Sequence, residues 1–163
     1  MTSKNHLIYG ATTGVVMIVI TIICYLLGVI QHEWAQYAPL AIILGGVILS
    51  CINFSKIHRR EVTFSTTFSN GFKTVAVITL IFVIFALIFI TIFPDIKAQA
   101  MANIALEMQN QGQSAEAIAA AQGKYTVVMI GKLLYGILSF GIVAALIGAL
   151  VAKKNTNTPS PKL

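Results

Sequence analysis

Histidine, cysteine and serine are the residue types in this sequence that could bind a metal ion or act as nucleophiles. The three histidines, His6, His32 and His58, stand in three separate polar stretches, so they cannot form one metal site. Ser139 has no histidine or acid close to it in sequence, and a serine inside a membrane helix usually bonds to its own backbone. The sequence therefore predicts no metal site, no cofactor and no catalytic residue, so the chain is not expected to be an enzyme.

The two cysteines lie inside apolar segments at different expected depths. Cys24 is expected toward the outer leaflet and Cys51 near the inner surface. At a rise of about 1.5 Å per helical residue, their difference in depth exceeds the Cα separation of roughly 7 Å that a disulfide allows. Both are therefore predicted to act as small buried hydrophobic side chains and not as a redox pair.

The composition is typical of a membrane protein. Of the 163 residues, 57% are hydrophobic and 10% are charged, whereas a soluble domain has about 25% charged residues. So few charges cannot cover a water-exposed globule of this size. The net charge of +6 would suggest a nucleic-acid partner in a soluble protein. Here the basic residues cluster between apolar segments, so they indicate membrane topology and lipid headgroup contacts, with no nucleic-acid partner.

Four apolar segments have the length of a membrane-spanning helix, which needs about 20 residues. The predicted spans are about 7–30, 38–55, 72–93 and 125–151. The first carries no charge, and no small-x-small cleavage site follows it, so it is predicted to be an uncleaved helix and not a signal peptide. The stretch 31–39 is predicted to be a loop, with Pro39 in the first turn of the second helix.

The stretch 95–124 is too polar to enter the bilayer, but it is rich in the helix formers Ala, Gln, Met and Glu. Its apolar residues have amphipathic helical spacing as far as Met108. A polar break around Gly112 follows, and Ser114 can cap a second helix. These features predict a helical hairpin outside the membrane, between the third and fourth spans.

The most charged stretch, 56–73, separates the second span from the third. Thr63 or Ser65 can cap a helix that continues into the third span. Three phenylalanines at spacing i, i+4, i+8 form one stripe, which we call the Phe face: Phe64, Phe68 and Phe72. Its two interpretations are an aromatic anchor in the headgroup layer and a docking face for a partner.

Apart from Lys73 at the start of the third span, Lys132 is the one charged residue inside a predicted span, about 10 Å from the outer end of the fourth helix. Its stem can extend toward the membrane surface. It can also pair with an acid of the outer face, where Asp95 and Glu33 are nearest by expected depth. A third interpretation is a charge that binds an anion or gates a path.

The distribution of basic residues predicts the orientation, because cytoplasmic loops carry an excess of lysine and arginine. With both termini inside, the outer side has two basic residues, Lys97 and Lys124, against eight on the cytoplasmic side. Those eight are Lys4, Lys56, Arg59, Arg60, Lys73, Lys153, Lys154 and Lys162. The sequence therefore predicts a single transmembrane domain over 1–154 and a disordered cytoplasmic tail over 155–163.

Three features together resemble the "domain of unknown function 4199" family. They are the pattern F-S-x-x-F-x-x-G-F-K ending at Lys73, the polar segment that follows Asp95, and a glycine-rich last helix ending in two lysines. The resemblance covers nearly the whole chain. It implies a small all-α protein with four transmembrane helices in the bacterial inner membrane, and it supplies no activity and no site residues.

Two classes of function remain. The first is a non-catalytic interaction or assembly component, which uses the predicted hairpin or the Phe face to bind another protein or a second copy within the lipid bilayer. The alternative is a transport or channel component that works as an oligomer. Transport needs several polar or charged groups inside the membrane. Because Lys132 stands alone among scattered threonines, we prefer the first.

Overall fold

The computed structural model describes residues 4–30, 32–58 and 61–152, without the side chains of Glu33, Trp34 and Gln36. These residues form six helices and no strand: α1 Asn5–Leu26, α2 Glu33–Ile57, α3 Phe64–Ile92, α4 Pro94–Asn110, α5 Ala115–Gly123 and α6 Tyr125–Ala152. The predicted all-α fold is confirmed. The tail 155–163 lies outside the described residues.

Four of these helices are long and apolar enough to cross a membrane: Asn5–Leu26, Tyr37–Ile57, Phe64–Ile92 and Tyr125–Ala152. They correspond to the four predicted spans and indicate a multi-pass membrane protein. The first ends earlier than its apolar run predicts, because Gly28 has a φ of 70°. The N–H of Val29 bonds to the carbonyl of Cys24 at 3.0 Å, which closes the helix end in a left-handed glycine cap.

The start of α2 corrects one prediction. The sequence pattern predicts a loop over 31–39, but α2 begins at Glu33, so most of that stretch is helical. Pro39 lies inside the helix and not in its first turn. Alanine, glutamine and glutamate form helices well and supply most of the residues ahead of the proline. Their propensity outweighs the one backbone hydrogen bond that Pro39 cannot donate.

The third helix begins directly after Thr63, one of its two predicted caps. The Thr63 hydroxyl accepts a hydrogen bond from the backbone N–H of Thr66 at 3.3 Å. From there α3 runs without a break to Ile92. The basic stretch and the third span are therefore joined by one helix.

Two shorter helices, α4 and α5, follow Phe93. Pro94 occupies the first turn of α4, where its missing N–H is not needed. Gly112, with a φ of 73°, ends α4, and the Ser114 hydroxyl caps α5 by accepting from Ala117 N–H at 3.3 Å. The two helices contact each other, and the Gln122 side chain of α5 donates to the carbonyl of Met101 at 3.3 Å.

The described residues form two compact units. The first combines the residues up to Ile81 with those from Gly136 onward, and the second is Phe82–Tyr135. The single domain predicted for 1–154 stays a prediction. In the second unit, phenylalanines at successive turns of α3 contact one another, with ring centroids 5.0–5.7 Å apart: Phe82, Phe85, Phe89 and Phe93.

Glycines allow several close approaches between helices of the first unit, and two of them illustrate the geometry. A methyl group at Gly10 of α1 would lie 2.6 Å from the Cβ of Val77, so α1 and α3 come together at this glycine. A methyl group at Gly148 of α6 would lie 2.9 Å from the Cβ of Cys51, which brings α6 against α2. Small residues are the usual means of close helix packing in membranes.

Candidate functional site

A polar cluster, buried except for the half-buried Asn53, joins the first three helices of the first unit. We call it the Ser50 cluster, and it consists of Asn5, Ser50, Asn53, Asn70 and Thr74. Each of its amides donates to another helix. Asn5 Nδ2 lies 2.9 Å from the Ser50 carbonyl and 3.1 Å from Ser50 Oγ, and Asn70 Nδ2 also lies 3.1 Å from Ser50 Oγ. Asn53 Nδ2 donates to Asn5 Oδ1 at 2.8 Å.

The Ser50 hydroxyl is used to its full hydrogen-bonding capacity. Thr74 Oγ1 donates its proton to the carbonyl of Asn70 at 2.9 Å. The 2.8 Å contact between Ser50 and Thr74 is then donated by Ser50. Ser50 Oγ therefore donates one bond and accepts two, from Asn5 and Asn70. Ser50 and Thr74 are completely buried, and the arrangement contains no formal charge.

The sequence reasoning missed this cluster. Its members come from three helices, and each is a neutral polar residue without a charge of its own to mark it. The signal that could have found it is spacing, since Ser50 and Asn53 are three residues apart and Asn70 and Thr74 are four apart. Such pairs lie on one face of a helix.

Further contacts of α2 extend from the cluster toward α3 and α6. Ser55 Oγ donates to the carbonyl of Ala152 at 2.9 Å. Cys51 is fully buried, and its Sγ lies 3.7 Å from the carbonyl of Thr67. Cys24 and Cys51 are both free and buried, in agreement with their predicted role as small core side chains.

The Phe face forms as one continuous stack along the start of α3. The rings of Phe64 and Phe68 have centroids 6.1 Å apart, and those of Phe68 and Phe72 are 6.4 Å apart. Phe72 is 44% exposed, and Lys73 next to it is also exposed. The predicted stripe therefore has an exposed aromatic ring at its end, and an exposed lysine follows it in the chain.

A partly open cavity of about 620 Å³ lies in the second unit, between α4, α5 and the start of α6. Lys132 lines it together with Lys124 and Glu107. Of the two acids considered as partners for Lys132, Asp95 is an exposed residue in the first turn of α4, and the side chain of Glu33 is outside the described residues. Both pairings stay predictions, and Glu107 is a neighbour that the sequence reasoning did not consider.

The three histidines lie at or next to the ends of α1 and α2. His6 is half-buried, whereas His32 and His58 are exposed. The ring nitrogen Nδ1 of His58 lies 2.9 Å from the carbonyl of Phe54, on its own helix. Over the described ranges, no three His, Cys, Asp or Glu side chains come together in a group that could hold a metal ion.

Comparison with known proteins adds a family relationship. The model of the family described as "Protein of unknown function (DUF4199)" matches residues 8–154, which is nearly the whole chain. Searches of curated proteins and of solved structures found no significant match. As its phenylalanine pattern and glycine-rich last helix predict, the chain belongs to the DUF4199 family.

Proposed function

We propose that this protein is a non-catalytic interaction or assembly component of the bacterial inner membrane. Four apolar helices support the membrane location. The excess of lysine and arginine on one side supports cytoplasmic N- and C-termini. In this orientation α4 and α5 lie outside the membrane, which agrees with charged residues along them such as Asp95, Glu107 and Glu116.

The observation that carries the proposal is the way in which the Ser50 cluster uses its polar groups. Catalysis or transport requires polar groups that can exchange partners with a substrate or an ion. The amides and hydroxyls of this cluster bond to one another across three helices, and Ser50 itself is buried and fully bonded. Their role is therefore to fix α1, α2 and α3 relative to one another, as a scaffold requires.

The Phe face is the surface through which this scaffold binds. It lies at the start of α3, close in sequence to the Ser50-cluster residues Asn70 and Thr74. The exposed ring of Phe72 and the exposed lysine that follows it, Lys73, together complement a helix that offers apolar side chains and a carboxylate. We therefore assign as its occupant a membrane helix of another protein with an acidic residue near its cytoplasmic end.

Photo-crosslinking in native membranes tests this assignment. A photoreactive phenylalanine replaces Ser69, an exposed residue three positions before Phe72. The matched control replaces Thr91, which is exposed near the other end of the same helix. We expect one protein adduct from position 69 and none from 91. Mass spectrometry identifies the partner, and the purified pair should form the same adduct in vesicles, reduced when Phe72→Ala is added.

The alternative outcomes are distinct. Lipid adducts alone from position 69 contradict the docking role and leave the Phe face as an interfacial anchor. An adduct with a second copy of the chain assigns the face to self-association and contradicts a separate partner. Ion or solute flux through vesicles that contain only the purified protein contradicts the scaffold role and favours the transport alternative.

A further inference from the structure

We propose that the cavity between α4, α5 and the start of α6 binds a phospholipid with an anionic headgroup. Its volume of about 620 Å³ lies within the usual range of ligand sites, about 300–1,000 Å³. All of its lining residues belong to the second unit. The site therefore shares no residue with the Ser50 cluster or with the Phe face, and the inference does not depend on the function proposed above.

The lining combines an apolar wall with a small number of charged groups. Two helices contribute one stripe each at spacing i, i+3, i+4, i+7, and these stripes bring the apolar side chains Ile104, Met108, Val128 and Met129 into the cavity. Methionine adapts to irregular apolar ligands because its side chain is unbranched and polarizable. This wall suits an acyl chain.

The charged groups favour an anion. Lys124 and Lys132 bring two ammonium groups to the lining against the single carboxylate of Glu107, which leaves a net positive charge. Lys124 stands at the junction of α5 and α6, and Lys132 lies eight residues further along, about 12 Å in helical rise. Two ammonium groups with this spacing can contact a phosphate group and a second polar part of the same headgroup.

The membrane is the source of the occupant. α6 is an apolar helix of spanning length that begins at Tyr125, so the cavity extends along its first two turns. Inorganic phosphate in water can bind the lysines, but it makes no apolar contact with the four side chains of the wall. A phospholipid can contact the wall with an acyl chain and the lysines with its headgroup. Both lysines are exposed side chains, so a headgroup can approach them directly.

Native mass spectrometry of the full-length protein in detergent provides the test. Phosphatidylglycerol and phosphatidylcholine with identical acyl chains are titrated separately. We expect tighter binding of phosphatidylglycerol and a roughly fivefold loss for Lys132→Gln, since one basic residue contributes about that factor near anionic lipid. Lys132→Arg should retain binding. The matched control, Lys97→Gln, removes the same charge from α4 outside the cavity lining and should leave binding unchanged.

A second variant tests the apolar wall without changing any charge. Ala121→Phe places a ring in the cavity from α5 and should weaken phosphatidylglycerol binding, with helix content by circular dichroism as the folding control. Equal binding of the two lipids, or equal losses for Lys132→Gln and Lys97→Gln, would overturn the proposal. Displacement of the lipid by inorganic phosphate at equal concentration would likewise overturn a membrane source.

Discussion

The substitution Ser50→Ala removes a single oxygen atom, but it should lower the stability of the protein strongly. The hydroxyl makes three side-chain hydrogen bonds of 2.8–3.1 Å to residues of α1 and α3. Such bonds between membrane helices average about 0.6 kcal/mol each, so together they contribute roughly 2 kcal/mol. In Ser50→Ala the amide of Asn70 also loses its buried acceptor, and an unsatisfied donor costs about 1–3 kcal/mol.

The expected loss in the free energy of unfolding is therefore about 2–4 kcal/mol. This loss is smaller than the sum of the three lost hydrogen bonds and the cost of the unsatisfied donor, because Asn5 keeps its bond to the backbone carbonyl of Ser50. Unfolding in mixed micelles of increasing dodecyl sulfate content, followed by circular dichroism, measures this difference. The matched control is Ser69→Ala, an exposed serine of α3, which should stay within about 0.5 kcal/mol of the unaltered protein.

A double-mutant cycle separates the cluster from a general effect of packing. Thr74→Val removes the other end of the 2.8 Å contact. Because the two side chains share bonds, Ser50→Ala and Thr74→Val together should cost less than the sum of their separate losses. Equal stabilities of Ser50→Ala and Ser69→Ala, or a fully additive cycle, would refute the assigned network.

Three other predictions concern glycine positions and topology. Gly10→Ala should lower the free energy of unfolding by about 1–3 kcal/mol, since the added methyl would lie 2.6 Å from a valine of α3. Gly45→Ala, where nothing lies within 4 Å, should stabilise α2 slightly in the same denaturation assay, and a loss at both positions would contradict the close-approach argument. Gly112→Ala should cost about 1–2 kcal/mol from backbone strain alone, because φ is 73° and the surrounding space is open; thermal melting that matches the unaltered protein would contradict this. In a background without cysteines, an impermeant thiol reagent on intact cells should label a cysteine at Ser114 and not one at Glu61, and the reverse pattern would invert the proposed orientation.

The sequence was sufficient for the spans because hydropathy and length depend on local composition alone. It also located the helix break at Gly112 and the cap at Ser114, since both depend on the residue at that position. It failed at the start of α2, where Pro39 was given more weight than the helix formers before it. A proline limits a helix only when the lost backbone bond outweighs the propensity of its neighbours.

Among the candidate sites, those formed within one helix could be predicted from the sequence, and those formed between helices could not. The Phe face was predictable because its spacing lies within one helix, and the rings stack as that spacing requires. The Ser50 cluster was not predictable, because it depends on which helices meet, and one apolar helix does not specify its neighbours. The neighbourhood of Lys132 was missed for a related reason, since Glu107 reaches the same cavity from another helix.

The order in which the chain is synthesised gives the Ser50 cluster a further consequence. Asn5 and Ser50 are separated by 45 residues, and Ser50 and Thr74 by another 24. The ribosome adds roughly 5–20 residues per second, so several seconds pass between the synthesis of Asn5 and that of Thr74. During that interval α1 and α2 can enter the membrane, but the Ser50 hydroxyl does not yet have its two partners on α3. A chain that stops before Asn70 therefore keeps the bonds between α1 and α2 but leaves the Ser50 hydroxyl without its two partners on α3, and this marks it chemically as unfinished.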